Sequence, residues 1–397
     1  MPGPLDGIRV IDLTSMVSGP LATMILADQG ADVIKVENPA GGDHTRGVSN
    51  RHGGFSASFL NNNRNKRSVA LNLKHPRGVA VLMKLVAGAD VFVQNFRPGV
   101  VERMGVDYDA IRAVAPDIVY VSISGFGERG PYAAKPVYDP LVQALSGLTT
   151  IQGGADEARP RLVRTILPDK LTGFTGSQAI TAALLARERG AGGQHIRLSM
   201  LDSVIAFLWS SDMSSQTFVD ADIDQQEAQS FSDLIYQTAD GYISVAIQSD
   251  KEWAAFSRAA GRPELLADPR FKTVALRQQN INDRLAVTQE SLAGWSSAEC
   301  LARLEAEDVP CAPVLRRRDV YRHPQIVESE TVTETNHPQA GRIRQARPAA
   351  RFSATPPDHR HGAPRLGEHT RAVLGESGFA AADIDALIAE NVATDGG

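Results

Sequence analysis

Ile8-Arg9-Val10-Ile11-Asp12-Leu13, then Gly19-Pro20, then Gly30-Ala31-Asp32-Val33-Ile34-Lys35-Val36 read as a strand, a helix and a second strand. The first run is rich in β-branched residues. Gly19-Pro20 opens a helix that runs to Gln29, because proline is tolerated only where the first-turn N–H groups have no intrahelical partner. Gly30 closes that helix, and residues 33–36 form the next strand. The pattern repeats with a helix at 79–87 before Val91-Phe92-Val93, and a helix at 108–114 before a strand at 118–123. Strands alternating with helices in this way predict a parallel sheet covered on both faces. The fold class is therefore α/β, with a Rossmann-like large domain. A dinucleotide cofactor does not follow from it. Thr14-Ser15-Met16-Val17-Ser18-Gly19-Pro20 offers one glycine where a pyrophosphate turn needs three, even though Glu37 ends the second strand where a ribose-binding acid would stand.

With 397 residues the chain is too long for one ordinary core. The expected division is a large domain from 1 to 210, a polar and acidic linker at 211–230, a smaller α/β or α+β domain at 231–322 and a return segment at 323–397 that completes the large domain. In the small domain a strand is read at 242–247 and another at 309–314, with helices at 252–260, 283–292 and 298–306. The return segment is broken by prolines, with a last helical pattern at 380–390. A count of 41 Lys plus Arg against 46 Asp plus Glu argues against a general polyanion surface, so no nucleic-acid partner is expected. Cys300 and Cys311 are too few for a disulfide framework. No apolar run has the length of a membrane span, and Met1-Pro2-Gly3-Pro4-Leu5-Asp6 lacks the regions of a signal peptide. The expectation is a reduced, cytoplasmic protein.

Pro168-Asp169-Lys170 stands at the head of a helix at 171–187 whose face carries Gly173, Gly176 and several alanines. A glycine in a helix costs about 1 kcal/mol relative to alanine, so a thin face implies close approach by a backbone or a ligand. Asp169 itself has two local readings: a carboxylate that caps the first turn, or one kept ionised by the helix N-terminus and ready to attack an electrophile such as a thioester. Two cationic segments stand out besides. Asn63-Arg64-Asn65-Lys66-Arg67-Ser68, continuing to Leu71-Asn72-Leu73-Lys74, lies near one strand, and Asn95-Phe96-Arg97-Pro98-Gly99 with Arg103 follows another. In an open α/β sheet the carboxyl ends of strands form the ligand crevice, so both segments are expected to share one phosphorylated ligand. Ser124-Gly125-Phe126-Gly127 and Lys135-Pro136-Val137-Tyr138-Asp139 form a glycine-punctuated loop into a helix, where Asp139 reads as a capping residue. His359 and His361 have no nearby carboxylate or cysteine cluster, so no metal site is expected.

Taken in order, Gly19-Pro20, Gly30-Ala31-Asp32-Val33-Ile34-Lys35-Val36-Glu37, Asn63 to Ser68, Asn95 to Gly99, Arg103-Met104-Gly105, Ser124 to Gly127, Gly192-Gly193-Gln194-His195-Ile196-Arg197 and Met200-Leu201-Asp202 resemble the class III acyl-CoA transferases, the CaiB/BaiF family. The resemblance resumes at Asp240-Gly241-Tyr242, Gly261-Arg262-Pro263, Asp268-Pro269-Arg270-Phe271, Val309 to Val314 and Leu366-Gly367-Glu368-His369-Thr370. It implies two chains threaded through each other as an interlocked homodimer, with Asp169 as the nucleophile. The implied reaction passes CoA from an acyl-CoA to a small carboxylic acid through an acyl-aspartyl anhydride and an aspartyl-CoA thioester. CoA is then a substrate, and no permanently bound cofactor is implied.

The same resemblance sets CoA against Val17, Ser18, Asn38, Leu71, Asn72, Leu73, Lys74, Asn95, Phe96, Arg97, Arg103, Lys135, Val137 and Tyr138. Asn38 departs from the family, where a basic residue is common. The glycine-thin face beside Asp169 would help to seat the thioester. Related α-methylacyl-CoA racemases place a histidine where this chain has Tyr138, and a phenol is a poor base near neutral pH. Transfer is therefore preferred to racemisation, with a catalytically silent CoA-binding protein as the remaining alternative. Ala246-Ile247-Gln248-Ser249-Asp250-Lys251 replaces the glycine-rich loop of formyl-CoA transferases, which counts against an oxalate and formate pair. Arg164, close before Asp169, gives a slight preference for a dicarboxylic substrate.

Overall fold

The computed structural model describes residues 3–154, 156–220 and 234–396. Its contacts divide the chain into two compact units, Met1–Gln225 with Glu330–Gly397, and Gln226–Ser329. Half of the expected linker, residues 221–230, lies outside the described residues.

The first unit is built on β1 (Arg9–Asp12), β2 (Asp32–Glu37), β3 (Lys66–Leu71), β4 (Val91–Gln94), β5 (Val119–Ser124) and β6 (Gln194–Ser199). These strands pair in parallel in the order β3-β2-β1-β4-β5-β6. The order reverses between β1 and β4, so the chain leaves their carboxyl ends in opposite directions and opens a crevice there. Ala393–Thr394 adds an antiparallel strand outside β3.

Alternation along the strands feeds two apolar layers. Ile11, Ile34, Val69, Phe92 and Tyr120 face one layer, which the last segment completes with Val373, Leu374 and Leu387. Val10, Val33, Val91, Val93, Val119 and Val121 face the other, covered by two helices, α1 (Ser18–Asp28) and the long helix that carries Asp169.

That long helix runs Leu167–Ala186, an earlier start than the sequence indicates, because Pro168 occupies the first turn, where its missing N–H costs nothing. Its thin face packs on α1. A Cβ built on Gly173 would stand 2.9 Å from the Ser18 carbonyl oxygen and 3.0 Å from Leu21 Cβ, and one on Gly176 3.4 Å from Ala22 Cβ. The expectation that this surface seats a thioester is thus corrected: the small residues admit a neighbouring helix.

The reading of Arg64, Lys66 and Arg67 as ligand-binding cations is also corrected. Lys66 is fully buried, its Nζ 3.0 Å from Asp12 Oδ2. Arg64 pairs with Asp28 at 2.7 Å, and Arg67 with Asp32 at 2.6 Å and Glu376 at 2.7 Å. They lie at the amino end of β3, away from the carboxyl-end crevice, and their charges are neutralised within the fold.

In the second unit, Ile235–Gln237, Tyr242–Val245 and Cys311–Pro313 form an antiparallel sheet with Tyr242–Val245 in the middle. Only Thr238-Ala239-Asp240-Gly241 separates the first two strands, too short a link for the crossover that parallel pairing needs. The unit is accordingly α+β, the second of the two classes expected for it, and not the α/β arrangement. Trp253, Phe256, Phe271 and Leu292 form its core under the helices Asp250–Ala259, Ile281–Leu292 and Ser297–Ala306. Among the described residues no helix is long and apolar enough to cross a membrane, and no His/Cys/Asp/Glu group is suited to a metal ion.

Candidate active site

Residues 14–17, after β1, meet Asn95, after β4, at the point where the strand order reverses. Asn95 accepts the Ser15 N–H at 3.0 Å and donates to the Ser15 carbonyl at 2.8 Å. Asp12 Oδ1 accepts the Thr14 N–H at 2.9 Å, buried Lys35 donates to the Thr14 carbonyl at 2.7 Å, and Asp43 Oδ1 accepts the Met16 N–H at 3.2 Å. These bonds hold Met16 at φ 71°, a left-handed conformation a non-glycine residue keeps only when its surroundings impose it. Lys35 and Lys66 together keep the Asp12 carboxyl well below the usual carboxylate range despite its burial.

Val17 and Ser18 follow, both buried, and begin α1. The first turn of α1 contains no acidic residue and no side-chain cap, so its N–H groups are open to an acceptor. Ser18 supplies a backbone and a side-chain hydrogen bond that favour the ionised Asp169 carboxylate. Asp169 therefore addresses the N-terminus of the neighbouring helix, while it sits in the first turn of its own.

The net effect on Asp169 is opposite to the expected one. Burial, followed by the nearby charge of Asp139, pushes its pKa up to about 6, against which Ser18 acts only in part. The carboxyl is mostly ionised at neutral pH but more basic than an ordinary aspartate, as suits a nucleophile.

The short helix α2 (Asp139–Leu145) brings the second carboxylate. Asp139 is buried, accepts the Asp169 N–H at 3.3 Å through Oδ2, and accepts Gln143 Nε2 at 2.6 Å through Oδ1. Gln143 is fixed in turn, its carbonyl accepting the Val163 N–H at 3.0 Å. Burial raises the Asp139 pKa as well. Sequence reasoning took Asp139 for a helix cap and missed Gln143; the spacing of four between them was the available signal, since it sets the two on one helix face.

The remaining sequence-predicted residues fall into distinct environments. Leu71 is buried in β3, Leu73 packs on the core, and the Asn72 side chain accepts the Lys74 N–H at 3.1 Å. Lys74, Arg97 and Arg103 are exposed after the carboxyl ends of β3 and β4 and form no ion pair among the described residues, unlike Arg64, Lys66 and Arg67. Phe96 is half-buried, its N–H held by Gln94 at 2.8 Å. Lys135 lies over the Tyr132 ring at 3.2 Å, and Val137 fills the space where Gly125 lacks a side chain. Tyr138 is 68% exposed. Asn38 is exposed beyond β2, its side chain accepting the Ala40 N–H at 2.9 Å in a turn.

A cavity of about 1020 Å³ opens beside Asp139 and Gln143 and is lined by Arg159, Arg161, Arg164 and Ile166. None of the three arginines forms an ion pair among the described residues.

The sequence profile of CoA-transferase family III matches residues 5–370. Succinyl-CoA:glutarate CoA-transferase of Mus musculus is 36% identical over 384 residues, covering 94% of this chain and 86% of that protein. Formyl-CoA:oxalate CoA-transferase of Escherichia coli O6:H1 is 34% identical over 414 residues, covering 98% and 99%. The crystal structure of a CaiB/BaiF family protein from Brucella suis is similar with a TM-score of 0.81 and 30% identity, covering 95% of this chain and 100% of that one.

Proposed function

The chain belongs to CoA-transferase family III and is an enzyme of that class, and on that premise we propose that it moves CoA from an acyl-CoA to a free carboxylic acid with Asp169 as the nucleophile. The observation that carries this reading is the Asp169 carboxylate itself, set at the crevice between β1 and β4 with its pKa raised to about 6. One Asp169 oxygen attacks the thioester carbonyl carbon, the C–S bond breaks, and the CoA thiolate leaves with the electron pair. The thiolate then attacks the aspartyl carbonyl of the anhydride and expels the donor acid, leaving an aspartyl-CoA thioester. An acceptor carboxylate reverses both steps. No net proton and no ATP are needed, provided water is kept from the anhydride.

Lys74, Arg97, Arg103 and Lys135 are the cations free to meet the phosphates of CoA. The residues at the adenosine-phosphate end are correspondingly Lys74, Arg97 and Arg103, with Asn38 contributing no charge. A homodimer is proposed as the working unit, supported by the exposed side chains of Phe174 and Leu185 on the Asp169 helix and of Phe207 and Trp209 on Met200–Trp209. For the acid we infer a dicarboxylate. Arg159, Arg161 and Arg164 supply guanidinium forks suited to a second carboxylate, and the name of the mouse relative specifies two dicarboxylic acyl groups. Racemisation is less suited to this site, since Tyr138 offers an exposed phenol where a base would be needed.

The test is intact-mass spectrometry after incubation with a panel of acyl-CoAs, with hydroxylamine trapping and peptide mapping. A CoA adduct or a hydroxamate on Asp169, absent from Asp169→Ala, supports the mechanism. Full transfer by Asp169→Ala refutes it.

A further inference from the structure

The buried carboxylate beside the nucleophile has no partner of opposite charge: Asp139 forms no ion pair among the described residues, and its two oxygens are held by neutral donors, Gln143 Nε2 at 2.6 Å and the Asp169 N–H at 3.3 Å. A buried anion balanced only by the more distant charge of Lys170 is unfavourable. We propose that Asp139 is a positioning residue for the transfer step: it fixes the backbone of Asp169, and its negative charge opposes the Asp169 carboxylate so that acylation of Asp169 relieves the repulsion.

The charge balance makes the direction plain. Before attack two carboxylates share the site. When the Asp169 oxygen bonds to the acyl carbon and the C–S bond breaks, Asp169 becomes neutral and the negative charge departs on the CoA sulfur. Both the anhydride and the aspartyl-CoA thioester leave Asp139 as the sole anion of the pair, so each covalent state is favoured over the free dicarboxylate by the lost repulsion. Gln143 keeps this arrangement from relaxing, because its amide is tied to Asp139 on one side and to the Val163 N–H on the other. Among the elements packed on the Asp169 helix, α1 presents Ser18, Met200–Trp209 carries Asp202, and β6 carries His195 and Arg197; of these only Ser18 acts on Asp169, and Lys170 acts on Asp139. Asp139 is thus the charged side chain that raises Asp169.

This inference rests on the transfer reading for its consequence but not for its measurement. Carbodiimide labels protonated carboxyl groups, so the pH dependence of Asp169 labelling, read by peptide mass mapping, reports its titration without turnover. In Asp139→Asn the labelling midpoint is expected to fall by about one pH unit, together with the acid limb of kcat/KM, and adduct formation at pH 7.5 to slow by about tenfold. Asp139→Ser, smaller and equally neutral, is expected to give the same shift and serves if the asparagine variant is poorly folded. A correctly folded neutral variant with an unchanged midpoint overturns the proposal. A midpoint that shifts in the neutral variant, while the wild-type enzyme forms no adduct with any acyl-CoA, upholds the pairing of the two carboxylates and refutes the transfer reading instead.

Discussion

Asp169→Asn should make the protein more stable while abolishing transfer. In the folded chain the Asp169 carboxyl is raised from the ordinary 3.8 to about 6, so folding favours its protonated form and disfavours the ionised one. The sign follows directly. Between 3.8 and about 6 the folded state binds more protons than the unfolded state, so this group lowers stability as pH rises through that window, and the deficit is complete above it. The size of the shift corresponds to ~3 kcal/mol at neutral pH, and ~1–3 kcal/mol after allowance for partial solvent access.

Asparagine has nearly the same shape and its amide oxygen can still accept from Ser18, so it removes the charge without opening a cavity. Urea denaturation of both proteins at pH 7.5, 5 and 4 measures the effect. The advantage of the variant should be largest at pH 7.5, about half as large at pH 5 and well under ~1 kcal/mol at pH 4, where the wild-type carboxyl is protonated in the fold. A variant no more stable than wild type at pH 7.5, or one whose advantage is the same at pH 4, would refute the claim that the site holds Asp169 in a strained ionisation state.

Gly173→Ala places a methyl group 2.9 Å from the Ser18 carbonyl, which must push α1 away from the Asp169 helix; a loss of ~1–3 kcal/mol in thermal unfolding and a drop in kcat larger than the drop in substrate affinity are expected. Lys66→Met leaves Asp12 buried with Lys35 as its remaining cation, and should cost ~3–5 kcal/mol in urea denaturation, far more than Lys74→Met, whose side chain is exposed. Arg161→Gln combined with Arg164→Gln should lower kcat/KM for dicarboxylate acceptors about tenfold or more relative to monocarboxylates of equal length, since each lost charged hydrogen bond is worth ~1.5–3 kcal/mol; equal losses for both acids would remove the arginines from substrate binding.

Local pattern alone determined the strand and helix units around β1, β2, β4 and β5, because apolar β-branched runs, Gly30 as a helix stop and Gly19-Pro20 as a helix start are properties of adjacent residues. It also singled out Asp169 at a helix head and the need for something to approach Gly173 and Gly176 closely. What approaches was decided by tertiary structure: α1, brought there by the strand order β3-β2-β1-β4-β5-β6, which pairings distant in sequence create. The same holds for the cations. Lys66 and Lys74 look alike in a basic stretch, yet one reaches inward to Asp12 from the amino end of β3 and the other emerges beyond its carboxyl end. The separation of thirty residues between Asp139 and Asp169 hides their pairing from any local reading. Burial and charge opposition act through space, so the basicity of the nucleophile exists only once the fold has removed water from both carboxylates and set them side by side.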